Sequence, residues 1–117
     1  MGGINLSEIH RFSVDVEEHF HVNAFEPYID RAEWEDQPSR VVANTSRLLD
    51  LLARHGATGT FFVVGWLADR KPELVRSISA AGHEIASHSW WHRRVPTITP
   101  AEFRDDVTRT KARLEEI

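Results

Sequence analysis

The 117-residue chain has no cysteine, which excludes disulfide staples and thiolate metal sites and leaves the redox compartment open. Any metal would have to be held by imidazole and carboxylate groups. There is no surplus of positive charge either. Fourteen Lys and Arg stand against 18 Asp and Glu, for a net charge of -4, and the basic residues are scattered rather than striped. Nothing here would grip a phosphate backbone, so no nucleic-acid partner is expected. Long apolar runs are also missing: the longest, Phe61 to Val64, is far below the roughly 20 residues that span a bilayer, and no membrane span is expected. Met1 to Asn5 offers neither a basic nor an apolar leader segment, which makes a cytoplasmic location the expectation. No repeat or low-complexity tract is present. What remains is 41% hydrophobic and 27% charged, enough to bury the core of one globular domain.

Periodicity supplies the elements. From Arg11 to Glu17, Phe12, Val14 and Val16 alternate with Ser13, Asp15 and Glu17, the period of a strand, which puts Asp15 and Glu17 on one face. The stretch from His19 to Gln37 reads as a long connection with one helical turn around Asp30 to Trp34. Ser39 is the expected N-cap of a helix carrying Val41, Val42, Thr45, Leu48, Leu49 and Leu52 and closed by Gly56. Thr58 to Gly65 predicts a central strand buried on both faces. Pro72 opens a second helix with Leu74, Val75 and Ile78 inward, ended by Gly82, and a short strand follows over Glu84 to Ser87. Thr99-Pro100-Ala101-Glu102 is a capping box with proline at the first helical position, followed by an apolar stripe of Phe103, Val107, Thr110, Leu114 and Ile117. Alternating strands and helices predict an α/β fold with about three parallel strands, open or closed into a barrel. The stripe still running at Ile117 gives the expectation of a chain cut off at its C-terminus.

Chemistry-bearing residues fall at the strand ends. His88 and His92 stand four apart directly after the third strand, and Asp15 and Glu17 end the first. Proteins of this class gather their chemistry at the carboxyl ends of parallel strands. Two imidazoles and one carboxylate make three ligands with an open position on a divalent ion, most suitably Zn2+. The other carboxylate is then free to act as general base. His10 and His55 read as surface residues and His83 as a satisfied structural histidine. Trp90 and Trp91 fit either the core or a stacking floor for a sugar. His19-Phe20-His21 is a second, weaker chelating pair.

These residues also carry a family resemblance. Gly82-His83-Glu84-Ile85-Ala86-Ser87-His88-Ser89-Trp90-Trp91-His92 resembles the second motif of the polysaccharide deacetylases, the NodB-homology family of carbohydrate esterases. Ala57 to Gly65 resembles the strand that precedes it there. Ser13 to Phe20 is similar to the first motif of the branch associated with exopolysaccharide and exosortase gene clusters. The resemblance implies that residues 1–117 are the N-terminal part of a deformed (β/α) barrel that removes N- or O-acetyl groups from an acetylated polysaccharide with a divalent metal, generally zinc. It implies His88 and His92 as metal ligands, an acidic residue of the first motif as the third, and Asp15 as the base that deprotonates the attacking water.

Two departures from the family pattern stand out. Val16 occupies the place of the usual metal-binding aspartate, so the ligand role passes to Glu17 on the strand-face argument, with Glu18 as fallback if the strand bulges. The later motifs, with an arginine that orients the base and a histidine acid, have no counterpart before Ile117. Two competing expectations follow: a non-catalytic glycan-binding remnant using Trp90 and Trp91 as platform, and an amidohydrolase-like barrel with its metal at His19 and His21. Neither the glycan nor the oligomeric state is readable from the sequence.

Overall fold

The structure, a computed structural model, describes residues 9–117. Strands β1 (Ser13–Val16), β2 (Thr60–Val63) and β3 (Glu84–Ser87) form one parallel sheet in the order β1-β2-β3. The register places Asp15 beside Phe62 and Phe62 beside Ala86, with Val16, Val63 and Ser87 in the next row. All three strands therefore end at one level, and whatever follows them is brought together there. Helices fill every connection: α1 (Val41–Arg54) between β1 and β2, then α2 (Gly65–Arg70) and α3 (Pro72–Ala80) between β2 and β3, and α4 (Pro100–Glu116) after β3.

The α/β class, the parallel strands and the second and last helices are as expected, and local chemistry explains why. Pro72 starts α3, whose Leu74, Val75 and Ile78 are buried. Gly82 follows with φ +89°, which only glycine adopts without strain. The α4 box closes reciprocally, with Glu102 N donating to Thr99 Oγ1 at 3.1 Å and Thr99 N donating to Glu102 Oε2 at 3.0 Å.

Four expectations are corrected. Ser39 does not cap α1: the capping position is Arg40, and the carboxylate that satisfies the first amides is Glu18, 22 residues earlier, accepting from Arg40 N and Val41 N at 2.8 and 2.9 Å. β2 is buried on one face only. Phe61 and Val63 are fully enclosed while Thr60 and Phe62 are half-buried, because the helices cover only the face that Val14 and Val16 share. The strand expected over Thr58 to Gly65 is shorter, Thr60–Val63, and Gly65 opens a helix, Gly65–Arg70. Finally, α4 does not turn its whole apolar stripe inward. Phe103 is 43% exposed and Val107 is also exposed, whereas Asp106 and Thr110 are buried; the rotation is set by the contacts those two make with the loop after β3 and with Gly65.

The connection 19–37 is a chain of 3-10 turns at His19–His21, Asn23–Phe25 and Arg31–Asp36. It is pinned to the body by rings: Phe20 and Trp34 each pack on Trp66, with centroids 5.7 and 5.3 Å away. Among the described residues no helix is long and apolar enough to cross a membrane.

Candidate metal centre

β1 ends at Val16, and its alternation carries Asp15 and Glu17 to the open face of the sheet. β3 ends at Ser87, and His88 leaves it still bonded to β2, its N donating to Val63 O at 3.1 Å. The two strand ends meet across the end of β2. Glu17 Oε2 lies 2.9 Å from His92 Nε2 and 3.3 Å from His88 Nε2. Asp15 Oδ2 is 3.8 Å from the same His88 nitrogen. Among the described residues, Glu17, His88 and His92 are the group whose donor atoms, one from each, all lie within 4.8 Å of one another.

These residues fit a divalent cation. Glu17 Oε2 and His88 Nε2 are buried, and no hydrogen bond of sound geometry satisfies them. Orphaned polar atoms of this kind are costly unless something else completes them. The polar contact with His88 holds the Glu17 carboxyl below its ordinary range; burial opposes this, and the charges of His92, His88 and His21 assist. The contact with Glu17 in turn raises His88, against desolvation and with help from the charges of Asp15 and Glu17. The pocket thus favours positive charge at its centre, which a cation supplies. Two imidazoles and a carboxylate are the donor set that zinc and similar borderline ions take.

The segment joining the histidines is a tight loop rather than a helical turn. Ser89 and His92 both have left-handed backbones, φ 62° and 56°, each at a cost of the order of 1 kcal/mol. The loop is held from two sides. The first amides of α2 donate to its carbonyls, Gly65 N to Ser89 O at 2.8 Å and Trp66 N to Trp90 O at 3.1 Å. From α4, Asp106 accepts from Ser89 Oγ at 2.9 Å and from Trp90 N at 3.1 Å to each carboxylate oxygen. A Cβ on Gly65 would stand 2.6 Å from Trp90 Cε3, so only glycine lets α2 approach the loop this closely.

Asp15, Glu17, His88 and His92 converge as the sequence suggests, with one correction. The side chain of Asp15 is 57% exposed, so it is not the buried carboxylate that a helix-covered strand would impose. It borders an open groove of about 630 Å³ between β1 and α1. Glu18 is not a fallback ligand: it is 4% exposed, turned to the opposite side, and occupied with α1.

The alternative pair does not converge either. His21 is 3% exposed, and its Nδ1 accepts from Glu18 N at 2.8 Å. His19 is exposed on the same 3-10 turn, where residues two apart face different directions. Trp90, 3% exposed, is a core residue with the Arg109 guanidinium 3.7 Å above its ring, which removes it as a stacking platform. Trp91 is half-buried beside Trp34, with Arg31 4.8 Å from its ring centre. His83 is the structural histidine expected, its Nδ1 accepting from Gly59 N at 3.1 Å.

Sequence reasoning missed Asp106, Gly65 and the capping role of Glu18. Each acts on a residue remote in sequence, and no local pattern marks it.

A profile of the family described as Polysaccharide deacetylase matches residues 33–117. The chain belongs to the polysaccharide deacetylase family. A member from Bradyrhizobium sp. (strain ANU 289), a chitooligosaccharide deacetylase, is 41% identical over 63 residues, 54% of this chain and 29% of its own length. The peptidoglycan-N-acetylmuramic acid deacetylase PdaA of Bacillus subtilis (strain 168) is 38% identical over 63 residues, covering 54% of this chain and 24% of that one. The chain thus spans less than a third of these relatives. Among solved structures, a Mycobacterium smegmatis protein assigned to the polysaccharide deacetylases superposes with a TM-score of 0.72 at 32% identity, over 92% of this chain and 38% of the other. In this polysaccharide deacetylase family chain, the β1 and β3 ends carry the candidate metal centre.

Proposed function

We propose that the chain is the metal-binding portion of a deacetylase catalytic domain that removes acetyl groups from an acetylated polysaccharide. The convergence of Glu17, His88 and His92 with Asp15 beside them carries this reading. Glu17, His88 and His92 would hold the cation, zinc by the donor set, and the cation supplies Lewis acidity toward an acyl oxygen and acidifies nearby water.

This chain's own contribution is then positional. Asp15, accessible and close to His88, accepts the proton of the water that attacks the acetyl carbonyl. Trp91 lies in sequence beside His92 and offers a partly exposed ring for contact with a sugar. The relatives named for chitooligosaccharide and peptidoglycan substrates support an N-acetylated glycan. The likeness of the first motif to the exopolysaccharide-associated branch favours an exopolysaccharide.

Zinc titration by equilibrium dialysis tests the reading. One equivalent is expected for the wild type and for Asp15→Asn, and none for Glu17→Gln, His88→Ala or His92→Ala. Full stoichiometry in His88→Ala, or loss in Asp15→Asn alone, overturns the ligand set. In a longer chain that completes the catalytic domain, acetate release from an N-acetylated chitooligosaccharide is expected to require zinc and to vanish in Asp15→Asn; release unchanged by that substitution removes Asp15 as base.

A further inference from the structure

Helix α4 reaches the metal centre without contributing a ligand to it. Its Asp106, on the second turn of α4 and 14 residues after His92, has a carboxylate that accepts from Ser89 Oγ at 2.9 Å and from Trp90 N at 3.1 Å.

 The residue is 8% exposed, and the backbone oxygen of Asp106 is itself engaged, accepting from Thr110 Oγ1 at 2.8 Å. The amides of α2 hold the two carbonyls of the same unit from the other side. Ser89 Oγ, Trp90 N and the carbonyls of Ser89 and Trp90 are thereby fixed, and Ser89 is kept in a left-handed backbone that a serine does not choose unaided.

We infer that Asp106 is a positioning residue of the metal centre: by gripping Ser89 and Trp90 it sets the turn that aims His88 and His92 at Glu17. Asp106 touches neither ligand side chain. It acts on the loop backbone, as outer partners of metal ligands commonly do. The Arg109 guanidinium over Trp90 closes the same contact one turn further along α4. The inference rests on the reading of Glu17, His88 and His92 as ligands.

The test is Co2+ binding, read by affinity and by the visible absorption of the bound ion, in the full chain. Asp106→Ala is expected to weaken Co2+ about 10- to 100-fold and to alter the spectrum, because the histidines no longer meet the ion at the same angles. Asp106→Asn keeps one acceptor for Trp90 N and is expected to recover most of the affinity. Thr99→Ala is the control: it weakens the same helix at its cap, remote from the loop, and is expected to leave affinity and spectrum unchanged.

A folded Asp106→Ala variant with wild-type affinity and spectrum overturns the inference, and so does an equal loss in Thr99→Ala, which would make the effect one of helix stability. If Asp106→Ala does not fold, Ser89→Ala carries the test. It removes one of the gripped donors and is expected to lower affinity several-fold with a changed spectrum; no change in either overturns the inference. Failure of the underlying ligand reading looks different: the wild type itself then binds no Co2+.

Discussion

Replacing Glu18 separates two roles that its neighbour in sequence would otherwise confuse. In the structure Glu18 Oε1 accepts from the first two amides of α1 at 2.8 and 2.9 Å in a nearly water-free setting. Hydrogen bonds to a charged acceptor are worth about 1.5 to 3 kcal/mol each, and the negative charge also complements the helix N-terminus. Water entering the vacated space recovers part of this, so Glu18→Ala is expected to cost about 2 to 4 kcal/mol. Glu18→Gln keeps an oxygen for both amides and loses only the charge, at a cost of about 1 kcal/mol. Urea unfolding measures both, with zinc stoichiometry determined in parallel under native conditions. Both variants are expected to retain one equivalent of zinc. An unmoved urea midpoint in Glu18→Ala together with lost zinc would refute the reasoning and return Glu18 to the metal.

Three further outcomes are expected. Gly65→Ala sets a gain of up to about 1 kcal/mol in helix propensity against overpacking on Trp90 and Thr110, about 1 to 3 kcal/mol; the melting temperature should fall, and a rise would contradict the close approach. Burial, opposed by the charges of Glu17 and Glu18, pushes His21 down to about 4 from 6.5, so the unfolded chain binds the extra proton between those values. The stability from keeping His21 neutral is complete above pH 6.5 and is lost as pH falls toward 4, by about 3 kcal/mol in all. His21→Gln should remove this slope, and parallel stability curves for variant and wild type over that window would disprove it. Phe103→Ser should change the urea midpoint by less than about 0.5 kcal/mol equivalent, since the ring lies on the exposed side of α4; a loss above 2 kcal/mol would restore it to the core.

What the sequence disclosed was what neighbouring residues decide. Thr99 and Glu102 cap one another three residues apart, Pro72 starts its helix by its fixed φ, and the period of two alone puts Asp15 and Glu17 on one face. His88 and His92 were legible because the end of a parallel strand is where such a pair has a use. The errors came from partners that sequence distance hides. Ser39 looked like the cap of α1 because nothing nearby pointed to Glu18. Phe103 and Val107 looked buried because helical periodicity identifies a stripe without saying whether anything covers it. Trp90 could not be assigned without the turn that folds its ring under Arg109, and that turn depends on a carboxylate of another helix.

The three side chains of the candidate metal centre come from the opposite edge strands of the sheet, with roughly 70 residues of chain between Glu17 and His88, a closure that costs several kcal/mol of chain entropy before any contact is made. Neither half can select an ion alone. The strand order β1-β2-β3 means that both helical crossovers must be complete before the two halves face each other across β2. Occupancy of the centre is therefore a test of assembly: an ion retained through dialysis reports that β1, β2 and β3 have all found their places, and a chelator added during refolding should slow or reduce recovery while leaving the isolated helical segments untouched.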